Sequence, residues 1–116
     1  MDTQIQGTVK FFTETQAEGN AFCTGQDLND RTVQAGARPV DLGVTLETEW
    51  NPLVMALKEC PKITIAAVNG VTAGAGISVA LACDLVISKP QVKFVSGFSK
   101  IGLCPDAGST SIFTNA

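Results

Sequence analysis

Residues 66–110 read AAVNGVTAGAGISVALACDLVISKPQVKFVSGFSKIGLCPDAGST, and this glycine-punctuated run decides the fold. It opens on the end of ITIAAV, 63–68, a short continuous apolar stretch that suits a strand covered on both faces. Asn69-Gly70 turns the chain, and Gly74-Ala75-Gly76 opens a helix through Ala82, built of small residues that permit close packing. LVIS at 85–88 and VKFVS at 92–96 read as two further short strands. Residues 97–108 form a loop with three glycines and Pro105, and a last helix is expected from Asp106 or Ala107. Backbone N–H groups at a helix N-terminus near a carboxylate supply an anion site and a proton carrier, the two parts acyl chemistry needs.

Upstream, TVKFFT at 8–13 reads as a strand of β-branched and aromatic residues, and 14–21 as a polar turn. FCTGQDLND, 22–30, is a compact segment with one glycine and a short helix expected from Asp27. Residues 32–41 lack periodicity and carry Gly and Pro, so a mobile loop is expected there. Between Val44 and Cys60, Leu46, Trp50, Leu53, Val54 and Leu57 recur at i, i+4, i+7, i+8 and i+11, which is a helical stripe. Pro52 should bend this helix or mark a restart near Asn51, and Pro61 closes it. Trp50 and the leucines are read as core.

A chain of 116 residues allows one domain, and 45% apolar residues suffice for a core. The net charge of −3, with no Lys/Arg cluster, argues against nucleic acid or an anionic membrane as partner. Asn69, Gly70 and Asp84 break the apolar stretches, so no bilayer span is predicted. The start MDTQIQG has no basic region ahead of an apolar run, so no secretory signal is expected. The four cysteines form no CxxC pair and the chain has no histidine, which makes a zinc site improbable and points to a reducing, cytoplasmic setting. Without histidine, Ser-His-Asp and Cys-His catalysis are excluded within one chain, and proton transfer falls to Asp, Glu, Lys, Cys or water.

Three segments then carry a resemblance. FCTGQDL resembles the AF-x-AG-x-DL segment of the enoyl-CoA hydratase/isomerase (crotonase) superfamily. AAVNGVTAGAGISVALACDLVIS is similar to its AA-[VI]-NG-x-x-x-G-[GA]-G-x-x-[LI]-A-x-x-CD signature, and KFVSGFSKIGLCPDAGST to the stretch that follows. Order and spacing agree, and GQDLND, the WNPLV helix and the FSK-x-GL-x-PD wording sit nearest the 1,2-epoxyphenylacetyl-CoA isomerase branch. The resemblance implies an α/β fold, a truncated crotonase-like ββα spiral. Residues 1–116 would form a single partial domain lacking the family's N-terminal strands and C-terminal helical region. Apolar edges left by that shortening would be covered in a homo-oligomer or by a complementing fragment.

By position, the resemblance assigns the two N–H groups that hold a thioester oxygen to Gln26 and Ala75. It places Cys23, Gly25, Asp27, Leu28 and Gly74 in the segments that receive coenzyme A, which enters as part of an acyl-CoA substrate and not as a separate cofactor. Asp27 is weighed chiefly as a cap that holds this loop. The hydratases' two glutamates fall on Ser78 and Phe98, so water addition is not expected. Asp106 stands where isomerases of the superfamily place their acid, although Asp before Ala-Gly-Ser is also an ordinary helix cap. Ser78 would hydrogen-bond a ligand or face solvent, Asp84 would cap a turn at a strand entrance, and Lys62 and Lys100 would be solvated or meet phosphates. The function so implied is an enoyl-CoA isomerase-like activity using enolate stabilisation and one carboxylate. The alternative is a catalytically inactive remnant that binds CoA or only self-assembles.

Overall fold

A computed structural model of the chain describes residues 20–27 and 41–114. In chain order it contains β1 Ala21–Cys23, α1 Leu42–Thr45, a π-helical turn Leu46–Trp50, α2 Asn51–Lys58, β2 Ile65–Val68 and β3 Val71–Ala73. There follow α3 Ala75–Ala82, β4 Leu85–Ser88, β5 Phe94–Val95, a 3₁₀ turn Phe98–Ile101 and α4 Ser109–Thr114. The strand expected at 8–13, Leu28 with the rest of the short helix expected from Asp27, and residues 32–40 of the loop expected at 32–41 lie outside the described residues. Asp27 is described and is not helical, and Asp41 caps a helix.

The strands form two parallel sheets, one ordered β1-β3-β5 and one pairing β2 with β4. Helix α3 touches strands of both sheets and packs on α2 and α4. Its small residues explain how so many elements meet one helix. A methyl group on Gly76 would sit 2.4 Å from the Cys23 carbonyl oxygen, so only glycine lets the end of β1 lie against the first turn of α3. Ile77 and Ala80 are 2% and 0% exposed, which makes this helix the centre of the molecule.

Two buried clusters flank it. Trp50 and Val54 pack with Ala75, Ala82, Ala107 and Ile112, with Leu46, Leu53 and Leu57 against them, so the predicted helical stripe is the core face. On the other side Ala66, Val68 and Ala80 meet Phe22 and Val92. The long helical stretch starts at Asp41, whose carboxylate accepts the Gly43 N–H at 2.9 Å. The restart near Asn51 is present, and its form is a π turn: the Asn51 N–H reaches back to the Leu46 carbonyl. Pro52, which has no N–H to donate, thus stands in the opening turn of α2, where proline is tolerated.

Three expectations need correction. Strand β2 alternates, with Ala66 and Val68 buried and Ile65 55% exposed, and all of β4 is exposed, Ile87 at 62%. One face of this two-stranded sheet is therefore open among the described residues, because α3 covers only the other. The expected 92–96 strand shrinks to Phe94–Val95. Helix α4 begins at Ser109, since Ala107 and Gly108 both have positive φ, 49° and 74°, and cannot continue a right-handed helix.

Asp84 closes the second sheet. One of its oxygens, Oδ2, accepts the Thr64 N–H at 2.8 Å and the Thr64 hydroxyl at 2.9 Å, while Asp84 N–H donates to Thr64 Oγ1 at 3.0 Å. These Thr64 bonds, backbone first, hold the Asp84 carboxyl below the usual carboxylate range. A depressed folded-state pKa means stability that is present above the unfolded value, about 4, and is lost as pH falls through the folded value. Wild type should therefore melt higher than Asp84→Asn at pH 7, and the gap should close at an acid pH below the usual carboxylate range. Equal melting temperatures at both pH values would remove the clasp as a stabilising contact.

Candidate active site

A cleft of about 450 Å³ opens where the turn after β1, the N-terminus of α3 and the loop before α4 converge. Its lining includes Gly25, Gln26, Asp27, Gly74, Ala75 and Asp106, so six residues singled out from the sequence share one cavity. Cys23 is placed behind it, 3% exposed against Gly76, with burial pushing its thiol pKa up and a Gly25 backbone hydrogen bond partly opposing. Lys62 and Lys100 are exposed and off the lining.

The two backbone segments lie side by side. A methyl group on Gly25, whose φ is +86°, would stand 3.3 Å from the Ala73 carbonyl oxygen and 3.4 Å from the Ala75 nitrogen. Gly74 caps α3 with φ +52° and ψ −133°, and it has no side chain to occupy the first N–H groups of the helix. Ala75 is the first residue of α3, 7% exposed, where the helix dipole favours a developing negative charge. The Gly74 N–H donates to the Val95 carbonyl at 3.2 Å, which ties this turn to the sheet.

Gln26 is anchored from the other side of the cleft. The Trp50 indole N–H donates to Gln26 Oε1 at 2.9 Å, and Trp50 itself lines the cavity while 4% exposed. Sequence reading placed Trp50 in the core, which is where it lies, and missed this bond. The available signal was chemical: a buried tryptophan on a helical stripe still needs an acceptor for its N–H.

Asp106 enters from the loop before α4, with Oδ1 shielded from solvent. Its carbonyl accepts the Ser109 N–H at 2.9 Å and the Ser78 hydroxyl at 3.5 Å. Ser78 is 0% exposed, so neither a solvent-facing nor a cleft-lining serine describes it; its hydroxyl supports the Asp106 loop from beneath. Phe98, 6% exposed, joins Ile101 and Leu103 as an apolar wall. Among the described residues, Asp27 and Asp106 are the ionisable side chains on the lining. An apolar wall, one pair of close backbone segments and a partly shielded carboxylate can bind a polarised carbonyl and move a proton beside it.

Among the described residues, no group of three His, Cys, Asp or Glu could hold a metal, and no helix is long and apolar enough to cross a membrane. The sequence pattern of the enoyl-CoA hydratase/isomerase family matches residues 14–116. The chain is 53% identical over 92 residues to 1,2-epoxyphenylacetyl-CoA isomerase of Escherichia coli, covering 79% of this chain and 35% of that protein. It is 47% identical over 92 residues to a protein of Rhodobacter capsulatus named as a probable enoyl-CoA hydratase, covering 79% and 34%. The crystal structure of an enoyl-CoA hydratase from Polaromonas sp. JS666 superposes with a TM-score of 0.67 at 25% identity, over 95% of this chain and 47% of that one. The chain thus has the crotonase fold and spans about a third of the length of the curated relatives it matches.

Proposed function

Because this chain belongs to the enoyl-CoA hydratase/isomerase family, we propose that its cleft serves an acyl-CoA isomerase, shifting a proton within a thioester. The reading rests on one observation: Gln26, Ala75 and Asp106 line the same cavity. The resemblance puts Phe98 and buried Ser78 at the hydratases' two carboxylate positions. In this reading the thioester oxygen sits between the Gln26 and Ala75 N–H groups. Asp106 takes an acidic proton from carbon α or γ, and the C–H electron pair moves into an enolate whose charge rests on that oxygen. Protonated Asp106 exchanges its proton with the water of the open cleft and then protonates another carbon, which shifts the double bond and restores the carboxylate. The identity to a named 1,2-epoxyphenylacetyl-CoA isomerase agrees with an isomerase, while the choice over a hydratase rests on the single carboxylate Asp106. The reading fits a place in fatty-acid or aromatic-acid breakdown. Coenzyme A enters only as part of the substrate, against the turn that carries Gly25 and Asp27. The four free cysteines support a reducing, cytoplasmic setting.

Incubation of the full chain with 3-enoyl-CoA in D₂O tests this directly. Deuterium should enter the acyl chain and a 2-enoyl product should form, with no 3-hydroxyacyl-CoA. A hydrated product would overturn the single-carboxylate reading. Neither 2-enoyl product nor deuterium uptake, with a raised melting temperature, would leave a protein that binds CoA without turnover; ligand at 100 times its Kd adds about 2.7 kcal/mol.

A further inference from the structure

We infer that Trp50 is a positioning residue for the thioester-oxygen site, acting through the side chain of Gln26. The inference rests on the reading of Gln26 as an N–H donor and extends it to a residue on a different element. Gln26 follows Gly25, the residue in the turn whose φ is +86°, and no regular strand or helix holds it. A donor on such a turn needs an external fixture, because its N–H direction changes with every backbone rotation. The indole N–H at 2.9 Å from Gln26 Oε1 is such a fixture. It comes from the last residue of the π-helical turn Leu46–Trp50, two positions ahead of Pro52, so the altered helical register determines where the indole stands. Trp50 shares one buried cluster with Val54, Ala75 and Ala107; Ala75 carries the other N–H donor and Ala107 follows Asp106. One rigid side chain therefore references the Gln26 turn to the elements that carry the remaining groups. The same bond holds the Gln26 amide against Trp50, which keeps that side chain from swinging across the cleft.

The chain has a single tryptophan and no tyrosine, so its one indole N–H resonance and its fluorescence both come from Trp50. Two variants of the full chain test the inference: Trp50→Phe, which keeps the ring and removes the donor, and Gln26→Met, which keeps the backbone N–H and removes the acceptor. In Gln26→Met the indole N–H should exchange with D₂O at least tenfold faster and its resonance should shift. In Trp50→Phe the Gln26 backbone amide resonance should shift or broaden. With 3-enoyl-CoA, either variant should slow deuterium uptake about 5- to 30-fold with Kd changed less than about twofold, and the double variant should be no slower than the slower single one. Simple multiplication of the two losses, or wild-type uptake in Trp50→Phe, would overturn the inference, because packing alone does not couple to the Gln26 acceptor. Should the wild-type chain take up no deuterium, the proposed activity fails, and the resonances still decide the inference. An unchanged Gln26 amide in Trp50→Phe overturns it, and a shifted one upholds it.

Discussion

Asp106→Asn is expected to slow deuterium exchange into an acyl-CoA thioester by at least about 100-fold while the chain stays folded. The amide keeps the shape of the carboxylate and cannot accept the proton, and general acid–base groups commonly contribute 10²–10⁴-fold. Folding should survive because two bonds that fasten this loop use the Asp106 carbonyl, which receives Ser109 N–H and the Ser78 hydroxyl, and asparagine has the same shape as aspartate. Neither bond depends on the carboxylate. Affinity for the thioester should change little, since the oxygen is held by the Gln26 and Ala75 N–H groups in the proposed mechanism. Ser78→Ala makes the useful contrast. It removes a 3.5 Å bond under the loop, so a stability loss of about 1 kcal/mol and a mild rate loss are expected, far below that of Asp106→Asn. An Asp106→Asn chain that stays folded and exchanges at the wild-type rate would remove this carboxylate as the proton carrier.

What the sequence made legible follows from residue size and spacing. The strand read at 63–68 and found at 65–68, the Asn69-Gly70 turn and helix α3 could be read because glycines and alanines at fixed intervals leave few backbone solutions. The helical stripe through Trp50 and Val54 was equally plain from its 3.6-residue period. Strands β1 and β3 were not anticipated: each has three residues, too few to show a period of two. The open face of β2 and β4 was missed because a continuous apolar run cannot say whether both faces are covered. For the site, the resemblance pointed to Gln26, Ala75 and Asp106, and the structure gathers them in one cleft. Their supports were hidden because each is a contact distant in sequence, Trp50 with Gln26 and Ser78 with Asp106. Periodicity marks a side chain as buried and says nothing of which polar atom it meets.

Ala75→Pro should lower the exchange rate by about 10²–10³-fold, the usual loss when one donor is removed from an oxyanion site. The substitution is unusually clean at this position. Ala75 is the first residue of α3, where a helix has no use for the N–H it would lose and where proline's fixed φ suits the start of the coil. Gly74 before it has ψ −133°, outside the helical range that a following proline would disfavour. The melting temperature should therefore fall only modestly, through the added ring atoms near Trp50 and Ala107. Ala75→Gly supplies the control: it retains the N–H, so its exchange rate should stay within a few-fold of wild type although helix propensity falls by about 1 kcal/mol. Free CoA, which has no thioester oxygen, should bind both variants alike. The decisive comparison is between the two variants at matched folding. If Ala75→Pro exchanges deuterium as fast as Ala75→Gly, the Ala75 N–H does not hold the developing charge, and the N-terminus of α3 serves the fold alone.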